Sequence, residues 1–124
     1  MLVVDDNADA ADSLAEVVRS MGHHAEVSYS GLTALQIAAD GRFDLVMLDI
    51  GLPEIDGYEV ARRLRRILGP STRIVAVTGY GAEEDRRRSR EAGFDDHVVK
   101  PMMPETLSRI LAALQPEAPL AAPA

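Results

Sequence analysis

Residues 45–57 read LVMLDIGLPEIDG. The apolar side chains Leu45 to Leu48 lead straight into Asp49, and Gly51 and Pro53 follow almost at once. A short apolar run bounded by turn residues is the pattern of a buried strand. A carboxylate at the tip of such a strand is costly to bury unless something there uses its charge. The rest of the chain has to supply that use.

Working outward, short apolar runs alternate with helix-patterned segments. Leu2-Val3-Val4 is a first run. Leu14, Val17, Val18 and Met21 then recur at helical spacing, and Gly22 stops that helix. Residues 25–28 make a modest second strand. Residues 31–39 hold Leu32, Leu35 and Ala39, a second helix ended by Gly41. Residues 43–48 form the third strand. Val60, Leu64, Ile67 and Leu68 mark a third helix closed by Gly69-Pro70, and residues 73–77 carry IVAV as a fourth strand. Residues 82–92 are mostly charged. Glu83 with Arg87 and Glu84 with Arg88 sit four apart in the favourable order, each pair worth about 0.2–0.5 kcal/mol, so we read a fourth helix with a thin apolar stripe. Val98-Val99 is a short fifth strand, and Leu107, Ile110, Leu111 and Leu114 mark a fifth helix. No internal repeat is present.

Five β-then-α units predict an α/β fold, a doubly wound parallel sheet with helices on both faces and right-handed crossovers. The 124 residues fit one domain, placed at 1–114, with an Ala- and Pro-rich tail at 115–124 expected to be unstructured. The absence of cysteine excludes disulfides and thiolate metal sites and suits the cytoplasm. No apolar run approaches the roughly 20 residues that span a membrane, and MLVVDDN lacks the basic flank of a signal peptide. The net charge of −7, from 20 acids against 13 Lys and Arg, argues against a nucleic-acid partner.

In doubly wound sheets, ligands bind beyond the carboxyl ends of the strands. Strand one ends at Asp5-Asp6, strand three at Asp49, strand four at Thr78-Gly79 and strand five at Lys100-Pro101. Taken singly, each has an ordinary reading: a helix cap or turn for the aspartates, a strand end for Thr78, a solvated charge for Lys100. Taken together they crowd three carboxylates into one crevice. Two carboxylates about 4 Å apart repel by about 4 kcal/mol at an effective dielectric near 20. A hard divalent ion with oxygen ligands relieves that, and Mg²⁺ (or Mn²⁺) is the expected cofactor. Asp49 would then be a nucleophile toward phosphorus, with the ion and Lys100 neutralising phosphoryl oxygens and Thr78 offering a hydroxyl.

VVDDN (3–7), VMLDIGLPEIDGYE (46–59), AVTGY (76–80) and AGFDDHVVKP (92–101) together resemble the receiver domain of two-component response regulators. The resemblance runs from Leu2 to about Leu114. It implies a flavodoxin-like (βα)5 sheet of strand order 2-1-3-4-5. It also implies that Asp49 is the phosphoacceptor, charged by a histidine kinase or phosphotransfer protein. Asp5 and Asp6 would be the Mg²⁺-holding pair, with the backbone carbonyl of Gly51 as a further ligand. Thr78 would be the switch hydroxyl, Lys100 the lysine that pairs with the phosphoryl group, and Lys100-Pro101 a cis peptide. Phosphorylation would draw Thr78 inward and rearrange the fourth-helix face. Such a domain is not a turnover enzyme; at most it catalyses its own phosphorylation and slow dephosphorylation. The fourth and fifth helices are the expected face for pairing with a second copy.

The sequence departs from the family pattern in places. His97 stands where Tyr or Phe is frequent as a rotating reporter. Similar histidines occur in receivers attached to hybrid kinases, and a side chain of this type can make switching respond to proton level. Gly51 and Tyr80 flank the expected phosphoryl group and bear on the access of water. Strand one starts at residue 1 without the usual lead-in, so a longer parent protein is expected. Within these 124 residues no effector domain is expected beyond the fifth helix. Two other functions compete: a silent interaction domain of the same fold, and a metal-dependent phosphatase, which would want an acid where Gly51 stands. A flavin-binding reading fails on the acidic first loop, DDNAD.

Overall fold

Leu45, Val46, Met47 and Leu48 are each no more than 1% exposed, so this strand is covered on both faces. In the computed structural model, which describes residues 1–52, 55–79, 87, 90–99 and 103–113, it is the centre of a parallel sheet. The strands are β1 (Leu2–Val4), β2 (Glu26–Ser28), β3 (Leu45–Asp49), β4 (Arg73–Thr78) and β5 (Asp96–Val99), in the order β2-β1-β3-β4-β5. Helices α1 (Ala8–Ser20), α2 (Gly31–Asp40) and α3 (Gly57–Leu68) follow the first three strands, and a last described helix spans Pro104–Ala112. Residues 87 and 90–92 are helical, where the fourth helix was expected. The Glu83–Arg87 and Glu84–Arg88 pairs, the tail at 115–124, and Pro53, Tyr80, Lys100 and Pro101 lie outside the described residues.

Alternation along β3 divides the core in two. Val46 and Leu48, with Leu2, Val4, Ile74 and Ala76, pack against Ala34 and Ala38 of α2 and Val60, Ala61 and Leu64 of α3. Leu45 and Met47, with Val75, Val77 and Val98, pack against Ala15 and Val18 of α1 and Leu107, Ile110 and Leu111 of the last helix. Strands buried on both faces read as continuous apolar runs, which is why the runs were visible and an in/out alternation was not.

The strand ends moved by small amounts from the sequence reading. β3 starts two residues later and includes Asp49, β5 starts at Asp96, and the last helix, marked in the sequence by Leu107, Ile110 and Leu111, spans Pro104–Ala112. The polar residues Asp96 and His97 hid the start of β5, because apolar runs were the signal being followed.

Candidate functional site

The order β2-β1-β3 reverses the direction of winding between β1 and β3, and a crevice opens at such a point. The register explains what fills it. Leu2 lies opposite Val46, Val3 opposite Met47 and Val4 opposite Leu48. One further step along the same ladder sets Asp5 beside Asp49. Adjacent strands lie about 4.8 Å apart, so the two carboxylates cannot avoid one another. Asp5, Asp6 and Asp49 each place one carboxylate oxygen within 4.8 Å of the others.

Asp5 and Asp49 are nearly closed off, at 8% and 9% exposed, while Asp6 is exposed. Asp49 is therefore recessed at its strand tip. The Asn7 amide donates to Asp5 Oδ1 at 3.0 Å, and the Gly51 amide donates to Asp49 Oδ1 at 3.0 Å. Each is a short side-chain-to-backbone turn that fixes the carboxylate's direction. Neither aspartate of the first loop caps α1, as the ordinary reading held. Asn7 does, accepting from the Ala10 amide at 3.1 Å. That assignment leaves both acids of the pair for the crevice. The signal was present in the sequence, since asparagine is as good an N-cap as aspartate.

The third wall is the β4 tip. The Ile50 amide donates to the Val77 carbonyl at 3.1 Å, carrying the β3–β4 ladder past Asp49. Thr78, at 6% exposed, is the next residue of β4 and lies opposite Val99 of β5. Asp49 and Thr78 thus end neighbouring strands at one sheet edge. His97 is half-buried on β5 opposite Ala76, two residues short of that edge. Lys100 follows Val99 directly in sequence, and Tyr80 follows Gly79.

Ile50, just after Asp49, lies close against Gly57, the first residue of α3. A Cβ on Gly57 would fall 2.7 Å from both the Cα and the carbonyl oxygen of Ile50, so only glycine permits this approach. A Cβ on Gly51 would lie 3.7 Å from Asp49 Oδ1, an ordinary contact, so the smallest residue leaves this side of the carboxylate uncrowded. Asp56 caps α3 by accepting from the Tyr58 amide at 3.0 Å.

Three carboxylates with no nitrogen or sulfur donor form a set suited to a hard divalent cation. The chemistry open to it is metal-assisted work on a phosphoryl group at a strand tip.

Comparison with known proteins agrees with this geometry. The model of the response regulator receiver domain matches residues 1–112, and the chain belongs to that family. It is 32% identical over 112 residues to the sensor histidine kinase RcsC of Salmonella typhimurium, covering 90% of this chain and 12% of RcsC. It is 35% identical over 120 residues to the response regulator MprA of Mycobacterium sp. (strain KMS), covering 96% of this chain and 52% of MprA. The chain thus spans about an eighth of one relative and about half of the other. The crystal structure of the receiver domain of the sensor histidine kinase PA1611 from Pseudomonas aeruginosa PAO1 is described with a magnesium ion coordinated in its active-site cleft. It superposes with a TM-score of 0.80 at 29% identity, over 91% of this chain and 93% of that one. No helix among the described residues is long and apolar enough to cross a membrane.

Proposed function

We propose that this receiver domain accepts a phosphoryl group on Asp49 from a phosphohistidine of a histidine kinase or phosphotransfer protein. The convergence of Asp5, Asp6 and Asp49 within 4.8 Å at the switch point of the sheet carries the reading. An Asp49 carboxylate oxygen forms a bond to phosphorus. The phosphorus–nitrogen bond breaks, and its electron pair returns to the imidazole ring of the donor.

Asp5 and Asp6, with Asp49 and the Gly51 carbonyl, would hold Mg²⁺ or Mn²⁺, which supplies positive charge to the phosphoryl oxygens. The Asn7 and Gly51 amides keep the carboxylates aimed, so little reorganisation is required at the moment of transfer. Lys100 pairs with the phosphoryl group and Thr78 donates to it. Asp49 stays recessed, which limits attack by bulk water; Gly51 and Tyr80 set how far. The state with Thr78 drawn inward becomes the more populated one, and the output is a changed surface beyond β4. His97 takes the place of the reporter ring on β5. The domain is a phosphoacceptor rather than a turnover enzyme.

Incubation with acetyl phosphate and Mg²⁺, followed by intact mass measurement, tests the reading. We expect a gain of one phosphoryl group, lost in Asp49→Asn and lost when a chelator removes the metal. Absence of any gain would leave a silent interaction domain. Sustained release of phosphate with every turnover would indicate a phosphatase.

A further inference from the structure

The turn from β2 into α2 borders the acidic pair but supplies none of the three clustered carboxylates. The Asp5 amide donates to the Ser28 carbonyl at 3.1 Å. One step past Val4 and Ser28 along the β1–β2 ladder sets Tyr29 beside Asp5. The Tyr29 hydroxyl donates to Asp12 Oδ1 of α1 at 2.7 Å. That bond holds the phenol pKa above the ordinary 10.0, so the hydroxyl stays a donor at neutral pH.

These contacts close a ring around the first loop. From Asp5 it runs through Ser28 and Tyr29 to Asp12, then back along α1 to its cap, Asn7. The Asn7 amide, donating to Asp5 Oδ1 at 3.0 Å, completes it. Both ends of the loop that carries Asp5 and Asp6 are therefore tied to one turn. The turn is itself anchored. Ser28 is buried, and its Oγ donates to the Ser30 carbonyl at 2.8 Å. Ser30 caps α2 by accepting from the Thr33 amide at 3.1 Å. Gly31 sits so close to α3 that a Cβ on it would fall 2.7 Å from both Ile55 Cγ2 and Val60 Cγ2.

From this geometry we infer that Tyr29, through Asp12, positions the Asp5–Asp6 pair and so sets the affinity of the site for a divalent cation. The inference deepens the metal-assisted phosphoacceptor reading and rests on it. Tyr29 is a positioning residue, since it acts through the first loop rather than on the ion. Groups behind a metal's ligands raise affinity by fixing the direction in which those ligands point. Tyr29 is 48% exposed, so removing its hydroxyl opens no cavity, and its effect on the site separates from its effect on the core.

Melting curves across a magnesium titration, with amide hydrogen exchange in chelator, test this on the whole chain. Tyr29→Phe should weaken magnesium binding by at least about threefold and speed exchange of the Asn7 amide by a similar factor. Its melting temperature in chelator should stay within about 2 °C of wild type, and exchange at Met47 within about twofold. Asp12→Asn and Asp12→Ala remove the same charge, but only the first keeps an acceptor oxygen for Tyr29. Asp12→Ala should therefore bind magnesium at least about threefold more weakly than Asp12→Asn, and adding Tyr29→Phe to it should change nothing further. Tyr29→Phe with wild-type magnesium affinity and Asn7 exchange, or equal affinities in the two Asp12 variants, would overturn the inference. So would a matching loss of protection at Met47, which marks a general loss of stability. A wild type that neither responds to magnesium nor gains mass from acetyl phosphate would instead strike the phosphoacceptor reading. Asn7 exchange in chelator would still decide whether Tyr29 holds the first loop.

Discussion

Asp6 is the exposed member of three carboxylates whose oxygens lie within 4.8 Å, so its charge can be removed with little loss of packing. Two opposite effects follow from one substitution. With the metal chelated, Asp6→Asn relieves like-charge repulsion and should raise the melting temperature. With Mg²⁺ present, the variant loses an oxygen ligand and should bind the ion at least about tenfold more weakly. Melting curves across a magnesium titration read both, because a ligand that binds only the native state stabilises it in proportion to RT ln(1 + [L]/Kd). A variant less stable than wild type in chelator, or equally responsive to magnesium, would contradict the shared site. The acids themselves were legible in the sequence because strand-end position follows from the βα alternation and the crevice rule. Asn7 as the cap of α1 was passed over because two acids beside it offered the same chemistry. The Arg65–Asp95 ion pair, at 2.7 Å, was not legible. Thirty positions separate its members, and all four of Arg65's acceptors lie beyond the end of α3, two of them in the distant Gly93 and Asp95, which only the folded chain brings near.

At the scale of elements, the placement of α3 decides how the loop after Asp49 is held. Gly57→Ala would drive a methyl group into the Ile50 backbone, one residue from Asp49, the proposed phosphoacceptor. Overpacking of this kind costs about 1–3 kcal/mol. We expect a lower denaturant midpoint and slower phosphorylation by acetyl phosphate together; a loss of stability alone would separate the loop from the site. The outer face of α3 carries a pH dependence. Arg63 and Arg62 bond Glu59 at 3.0 Å each and hold its carboxyl below the ordinary 4.5. Because the folded state lowers this value, the contribution is complete above about pH 4.5 and fades as pH falls through the folded value. The melting difference between wild type and Glu59→Gln should therefore be present at neutral pH and vanish under acid. A difference that grows on acidification would contradict the pairing. The α3 helix was readable from Val60, Leu64 and Leu68, whereas β5 was half-hidden because Asp96 and His97 are strand residues of the wrong polarity for a run-based reading.

Among the described residues the molecule is a sheet with an apolar core on each face and an acidic cluster at one edge. The cores hold β1 and β3 in a fixed register, the register brings Asp5 beside Asp49, and the proposed metal and phosphoryl chemistry rests on the three carboxylates gathered there. The parallel sheet with helices on both faces was foreseeable from period, turn residues and crossover handedness, whereas the strand order came from the family resemblance. What no single-chain pattern supplied was the depth of Asp49 in its crevice, where it is only 9% exposed. The most direct test of the central claim is chemical. Borohydride reduction of the acetyl-phosphate-treated protein converts an aspartyl phosphate to homoserine, and peptide mapping then locates it. The account predicts homoserine at position 49, dependent on Mg²⁺. Homoserine at position 5 or 6, or at no position, would contradict it.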